Sequence, residues 1–231
     1  MKTVGIIGGM GPETTAKFYL DVIFKCFKEN EKERPSILMW NVPLKYKIEQ
    51  ELLEKGSGEE KYLPFLLEAA RNLENGGADF LVIPCNTVHV FIKEIRKEVG
   101  IPVLSIVEET EKFLHKKKFK KIGLLATSLS VKQRLYDKPL EKSGFEIIKP
   151  VETDQRKLGK IIRKLVVTRY ADREKSELIK IIWRLGKRDS DAIILACTDL
   201  QLIIKPKEIP VPTFDTMDLL VDATVREILR R

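Results

Sequence analysis

Three stretches of this chain occur twice, and in the same order. "KTVGIIGGMG" at 2–11 is echoed by "KKIGLLATSLS" at 120–130, "GADFLVIPCNT" at 77–87 by "DSDAIILACTD" at 189–199, and "GIPVLSIVEET" at 100–110 by "EIPVPTFDTMD" at 208–218. The spacing agrees as well. Gly5 and Cys85 are 80 residues apart, Gly123 and Cys197 are 74 apart, and loop lengths absorb such a difference at little entropic cost. A chain that repeats itself in this way is constrained to build one unit twice. The expectation is two similar lobes, 1–115 and 116–215, with a last helix at 216–231 packing back onto the first.

The content of each unit follows from its periodicity. Short apolar runs at 3–11, 36–43, 79–86, 101–107, 121–128, 145–151, 192–198 and 209–215 lack polar alternation, as strands covered on both faces do. Amphipathic stretches lie between them at about 13–29, 61–75, 88–98, 107–118, 131–143, 154–169, 172–187 and 217–230. Strand and helix in turn predict an α/β fold of parallel-rich sheets flanked by helices. Open α/β sheets bind ligands at the carboxyl ends of their strands. Two lobes related by a pseudo-twofold axis would therefore place an active site in the cleft between them.

Cys85 and Cys197 both stand where an apolar run empties into a turn, at matching positions of the repeat. A carbon acid such as an amino acid Cα needs a base to remove its proton and, for inversion, an acid on the opposite face to return one. Two thiols supply both functions, one as thiolate and one as thiol in either direction, with a thiol pKa near 8.5 that a helix N-terminus lowers. Asn86, Thr87 and Thr198 beside the cysteines, and Thr127 and Ser128 after a third strand, offer short donors for a carboxylate. The "GGMGP" turn at 8–12 brings open backbone and the Met10 side chain to the same edge. His89, one helical turn after Cys85, either tunes that thiol or hydrogen-bonds within its helix. Asp199 either poises Cys197 or caps the next helix. Cys26, in the helical "DVIFKCFK", reads as packing.

Composition excludes several other classes. Among 231 residues there are three cysteines and no CxxC pair, which suits free thiols and neither a disulfide framework nor a zinc site. No apolar run reaches the ~18–20 residues that span a bilayer, and the N-terminal stretch lacks the features of a signal peptide, so a cytoplasmic protein without membrane partners is expected. The net charge of +8 raises the question of nucleic acid, but its densest cluster, "HKKKFKK" at 115–121, follows a helical stretch and reads as a helix C-terminus. A small amino acid or related carboxylate, with no nucleic acid, is the expected partner.

The stretches "GIIGGMGP" (5–12), "PCNTVH" (84–89), "GLLAT" (123–127) and "ACTDL" (196–200) resemble, in order and over nearly the whole length, the aspartate/glutamate racemase superfamily, most closely its aspartate racemase branch. The resemblance implies a cofactor-independent amino acid racemase, without pyridoxal phosphate or metal. Cys85 and Cys197 would be its acid/base pair, Asn86, Thr87, Thr127 and Thr198 would hold the α-carboxylate and amino group, and the assembly would be a homodimer. Hydantoin racemases, maleate isomerases and arylmalonate decarboxylases are the neighbouring enzyme readings, and a silent amino-acid-binding protein on the same scaffold is the non-enzyme reading. Three departures stand out. Ala196 and Asp199 replace the usual flanks of the second cysteine. Leu44 and Ile48 fall where a polar residue and an arginine are customary, and Val167 falls where a lysine is. Lys45, Lys47 and Arg169 are the cations left to substitute.

Overall fold

The computed structural model describes residues 1–45, 47–48, 51, 57–166, 171–205, 209 and 211–230. Val167 and Arg169 lie outside them. The chain divides into two compact units, Met1–Glu109 with Met217–Arg231, and Thr110–Thr216.

In the first unit, β1 (Val4–Gly8) lies between β2 (Ile37–Asn41) and β3 (Phe80–Val82), all parallel. A single parallel bridge from Leu81 to Val103 continues the sheet past β3. In the second unit, the order is β5 (Glu146–Ile148), β4 (Lys121–Ala126), β6 (Ala192–Ala196), β7 (Thr213–Asp215), again parallel throughout. The connecting helices are α1 (Pro12–Glu29), α2 (Leu63–Asn75), α3 (Ile92–Glu98), α4 (Ile106–Lys117), α5 (Ser128–Lys132), α6 (Asp137–Lys142), α7 (Glu152–Val166), α8 (Asp172–Gly186) and α9 (Thr216–Leu229). Both units are thus helix-covered parallel α/β structures with one strand order, as the repeat predicts.

The duplication extends to individual contacts. Gly5 pairs with Leu81 and Gly123 with Ile193. A Cβ on Gly5 would meet Leu81 and Leu73 at 2.6 and 3.2 Å, and one on Gly123 would meet Ile193 and Leu185 at 3.0 Å each, so the same close approach of helix to central strand excludes a side chain in both units. Asp79 and Asp191 close the same clasp. The Asp79 N–H donates to Thr3 O (2.8 Å) while the Thr3 N–H donates to the Asp79 carboxylate (2.6 Å). Asp191 and Lys121 repeat the exchange at 2.8 and 2.9 Å.

The third matched pair shifts. The Leu81 N–H donates to Pro102 O and the Ile193 N–H to Pro212 O, so Pro102 corresponds to Pro212, two residues later than the "IPV" match suggests. The helices that follow start at Ile106 and Thr216, in step with that register. The run at 101–107 also forms one bridge in place of a strand, because the turn into α4 begins at once.

Two further expectations change for local reasons. The stretch 131–143 is two short helices, with Arg134 at φ 51° between them. Pro139 has no N–H to give an unbroken helix, but it fits the first turn of α6. Strands β2 and β5 are partly exposed, in contrast to the wholly buried β1 and β6, because each lies at a sheet edge. The basic cluster ends α4 at exposed Lys116 and Lys117, with Lys118 at φ 59° closing the helix. In the first unit α9 is tied down by Lys2 N–H donating to Ile228 O (2.9 Å) and by Lys25 pairing with Asp222. No helix of the described residues is long and apolar enough to cross a membrane.

Candidate active site

Parallel strands put all their carboxyl ends on one edge, and the candidate residues of each unit collect there. In the first unit β1 runs out through Gly9, whose φ of 93° suits glycine alone, and where a Cβ would strike Asn41 at 2.8 Å. The turn is held by Gly9 N–H donating to Thr15 Oγ1 (3.0 Å) and by the Thr14 and Thr15 hydroxyls donating to Gly11 O (2.9 and 3.0 Å). Met10 is thereby buried in a cluster with Ile7, Val42, Leu81, Ile83 and Val88, and half-buried Cys85 packs against the same cluster. Cys85 is carried out of β3 by Ile83 and Pro84 and enters a 3₁₀ turn at Thr87–Phe91. Buried Asn86 and half-buried Thr87 follow it.

His89 is wholly buried, and backbone engages both of its ring nitrogens. Nε2 accepts from the Ile106 N–H (3.1 Å), so Nδ1 carries the proton and donates to Cys85 O (2.8 Å). The ring therefore pins the Cys85 turn to the start of α4. Burial is the main reason its pKa falls from 6.5 to about 4, with nearby Arg96 adding to the fall, although the Cys85 carbonyl bond opposes it. The folded state favours the neutral ring. Its contribution to stability is whole above about pH 6.5 and is lost as pH drops toward 4. Urea unfolding should lose on the order of 2 kcal/mol from this group over that interval, and His89→Gln should flatten that part of the profile.

In the second unit, buried Cys197 and Thr198 follow β6 directly, and Cys197 belongs to the core cluster of Leu125, Leu195 and Leu200. Asp199, only 9% exposed, precedes a 3₁₀ turn at Leu200–Leu202 but makes no side-chain cap to it. Its carboxylate accepts from the Cys197 thiol at 3.7 Å, so of the two roles open to Asp199 the geometry favours the thiol. Thr127 caps α5, accepting from the Ser130 N–H (3.1 Å) and donating to Ser130 Oγ (2.9 Å), while Ser128 is exposed.

Two residues at this edge have no marker in the sequence. Gln155 of α7 donates from Nε2 to the last β4 carbonyl, Ala126 O (3.0 Å), and its buried Oε1 has no hydrogen-bond partner among the described residues. Tyr136 is fully buried and hydrogen-bonded to Thr110 and Thr216, with Asp215 and Cys197 nearby, and burial raises its pKa. The third cysteine differs from the other two. Cys26 lies on the inner face of α1, and burial, aided by Glu29, pushes its thiol up to about 11. Among the described residues no group of His, Cys, Asp and Glu is placed to hold a metal ion.

Fold and site define a duplicated parallel α/β protein with one strand-end cysteine per unit. The sequence profile of the Asp/Glu/Hydantoin racemase family matches residues 7–224, and the chain belongs to that family. Its racemases are isomerases. The chain is 28% identical over 230 residues to the broad specificity amino-acid racemase RacX of Bacillus subtilis, covering 98% of each. Among solved structures it is similar to a candidate Asp/Glu racemase from Yersinia pestis (TM-score 0.87, 29% identity, all of both chains covered) and to the aspartate racemase of Picrophilus torridus (TM-score 0.81, 25% identity, 100% of this chain and 96% of that one).

Proposed function

We propose that this protein is a cofactor-independent racemase of amino acids that works by two-base proton transfer, with Cys85 and Cys197 as the bases. One observation carries the reading. In each unit the cysteine lies four residues beyond the strand residue paired with the central glycine, Leu81 in one and Ile193 in the other. The fold thus delivers a thiol to the carboxyl edge twice by the same route. The thiolate on one side takes the Cα proton, and the electron pair delocalises into the substrate carboxylate. The thiol on the other side then protonates the opposite face, which leaves the pair with its roles exchanged. Backbone N–H groups at the Asn86–Thr87 and Thr198–Asp199 turns stabilise the developing charge. Asp199, whose carboxylate accepts from the Cys197 thiol with sulfur and oxygen 3.7 Å apart, favours Cys197 as the acid of the resting enzyme.

The substrate in this reading carries a neutral side chain. Leu44 and Ile48, where the resemblance would place groups for a second carboxylate, pack partly buried against the first unit's core, while Lys45 and Lys47 are exposed. A carboxylate placed against that apolar surface would lose water without gaining a partner. The relationship to a broad specificity racemase agrees with this. The test is deuterium incorporation at Cα in D2O over a panel of L- and D-amino acids. Exchange is expected with neutral members of both series, whereas saturable binding with no exchange anywhere would make the protein a silent binder.

A further inference from the structure

Gln155 is anchored by one half of its amide and left open at the other. It stands in the first turn of α7, whose start is fixed by buried Asp154 accepting two bonds from Arg184 on α8 (2.7 and 2.8 Å). One turn further along the same face, a Cβ on Gly159 would meet Ser128 Oγ at 3.3 Å, so this face of α7 lies close against the segment that leaves β4. The bond from Nε2 to Ala126 O (3.0 Å) settles which way the amide faces, because a carbonyl oxygen can only accept. Oε1 is left as a buried acceptor without a partner among the described residues. A group in that state costs about 1–3 kcal/mol. A clip between α7 and β4 needs the nitrogen alone and gives no reason to bury the oxygen.

We propose that Gln155 is a specificity residue whose Oε1 accepts a hydrogen bond from the α-ammonium group of the substrate. Its place in the sheet suits that role. Ala126 pairs with Ala196, and Cys197 follows Ala196 directly, so the open acceptor is anchored one strand away from a residue assigned as a base. Its chemistry selects the ligand group. What Oε1 lacks is a donor, and an ionised carboxylate offers none, whereas an ammonium group carries three N–H bonds. Ala126 O and the capping Thr127 hydroxyl add further oxygens at the same strand end, surroundings that favour a positive charge. An amide is neutral across the working pH range, so it holds the ammonium group without becoming a rival base for the Cα proton. The inference deepens the racemase reading and takes from it only that the ligand is an amino acid.

The test is calorimetric binding of matched pairs, leucine against isocaproate and alanine against propionate, in which the second member lacks only the amino group. The wild-type protein is expected to bind each amino acid about 30-fold more tightly than its partner, or better still. Gln155→Met, which keeps length and bulk, should lower that preference about 10-fold or more and leave the affinity for isocaproate within about twofold. Loss of the clip to Ala126 alone would weaken both members of a pair equally. An unchanged ratio in Gln155→Met therefore overturns the proposal, as does a wild type that binds both members alike or binds neither. A crystal structure of the wild type with leucine gives a reading independent of how the variant folds. The ammonium nitrogen should lie within about 3.2 Å of Oε1, and a carboxylate oxygen or a water alone at that place overturns the proposal. Because binding is read without turnover, the racemase reading can fail in the deuterium test while the preference for an ammonium group stands, and the reverse.

Discussion

Replacing either Cys85 or Cys197 by alanine is expected to lower the racemisation rate by about 10³-fold or more, at the upper end of what one acid/base group contributes, because inversion needs both at once. The loss should appear in kcat with little change in KM, since neither thiol is required to hold the carboxylate. Folding should survive. Cys85 is half-buried, and Cys197, at 4% exposure, leaves a cavity of about one sulfur atom, so urea unfolding should register about 1 kcal/mol for Cys197→Ala and less for Cys85→Ala. Cys26→Ala is the control. It removes a thiol of similar burial whose pKa of about 11 leaves it unionised at neutral pH, so it should lower stability and leave turnover alone.

The second large effect is selectivity. With Leu44 and Ile48 packed on the first unit's core and Lys45 and Lys47 exposed, the account predicts that kcat/KM for neutral amino acids exceeds that for aspartate and glutamate by about 100-fold or more. Initial rates measured by chiral chromatography at fixed low substrate concentration would show it. Equal rates for aspartate would mean that a cation reaches its side-chain carboxylate, and would remove the argument from these two residues.

Much of this arrangement is legible in the residues, and particular features show why. A glycine that must admit a packed leucine, an aspartate that closes the strand-end clasp, and a cysteine at a fixed distance beyond that aspartate leave a local signature that duplication then prints twice. That is how Gly5, Asp79 and Cys85 find Gly123, Asp191 and Cys197. The register of Pro102 was not recoverable in the same way, since "IPV" occurs in both halves and only the ladder bonds to Leu81 and Ile193 show that Pro212 is its counterpart. The roles of His89 and Asp199 stayed open for a related reason. The role of a side chain able to bond either a thiol or a backbone group is decided by distances, here 2.8 Å to Cys85 O and 3.7 Å to Cys197 Sγ. Gln155 and Tyr136 left no trace, because Gln155 reaches the edge from a helix distant in sequence and Tyr136 from the turn before α6, and neither carries a motif.

The central claim is that each thiol serves one face of the same carbon. Its most direct test is Cα deuterium exchange of separate enantiomers by Cys85→Ser and Cys197→Ser in D2O. Each variant keeps a single competent base, so each should exchange one enantiomer with retention and leave the other untouched, and the two variants should choose opposite enantiomers. If both variants exchange the same enantiomer, or if both still exchange L and D alike, the two-thiol account is wrong.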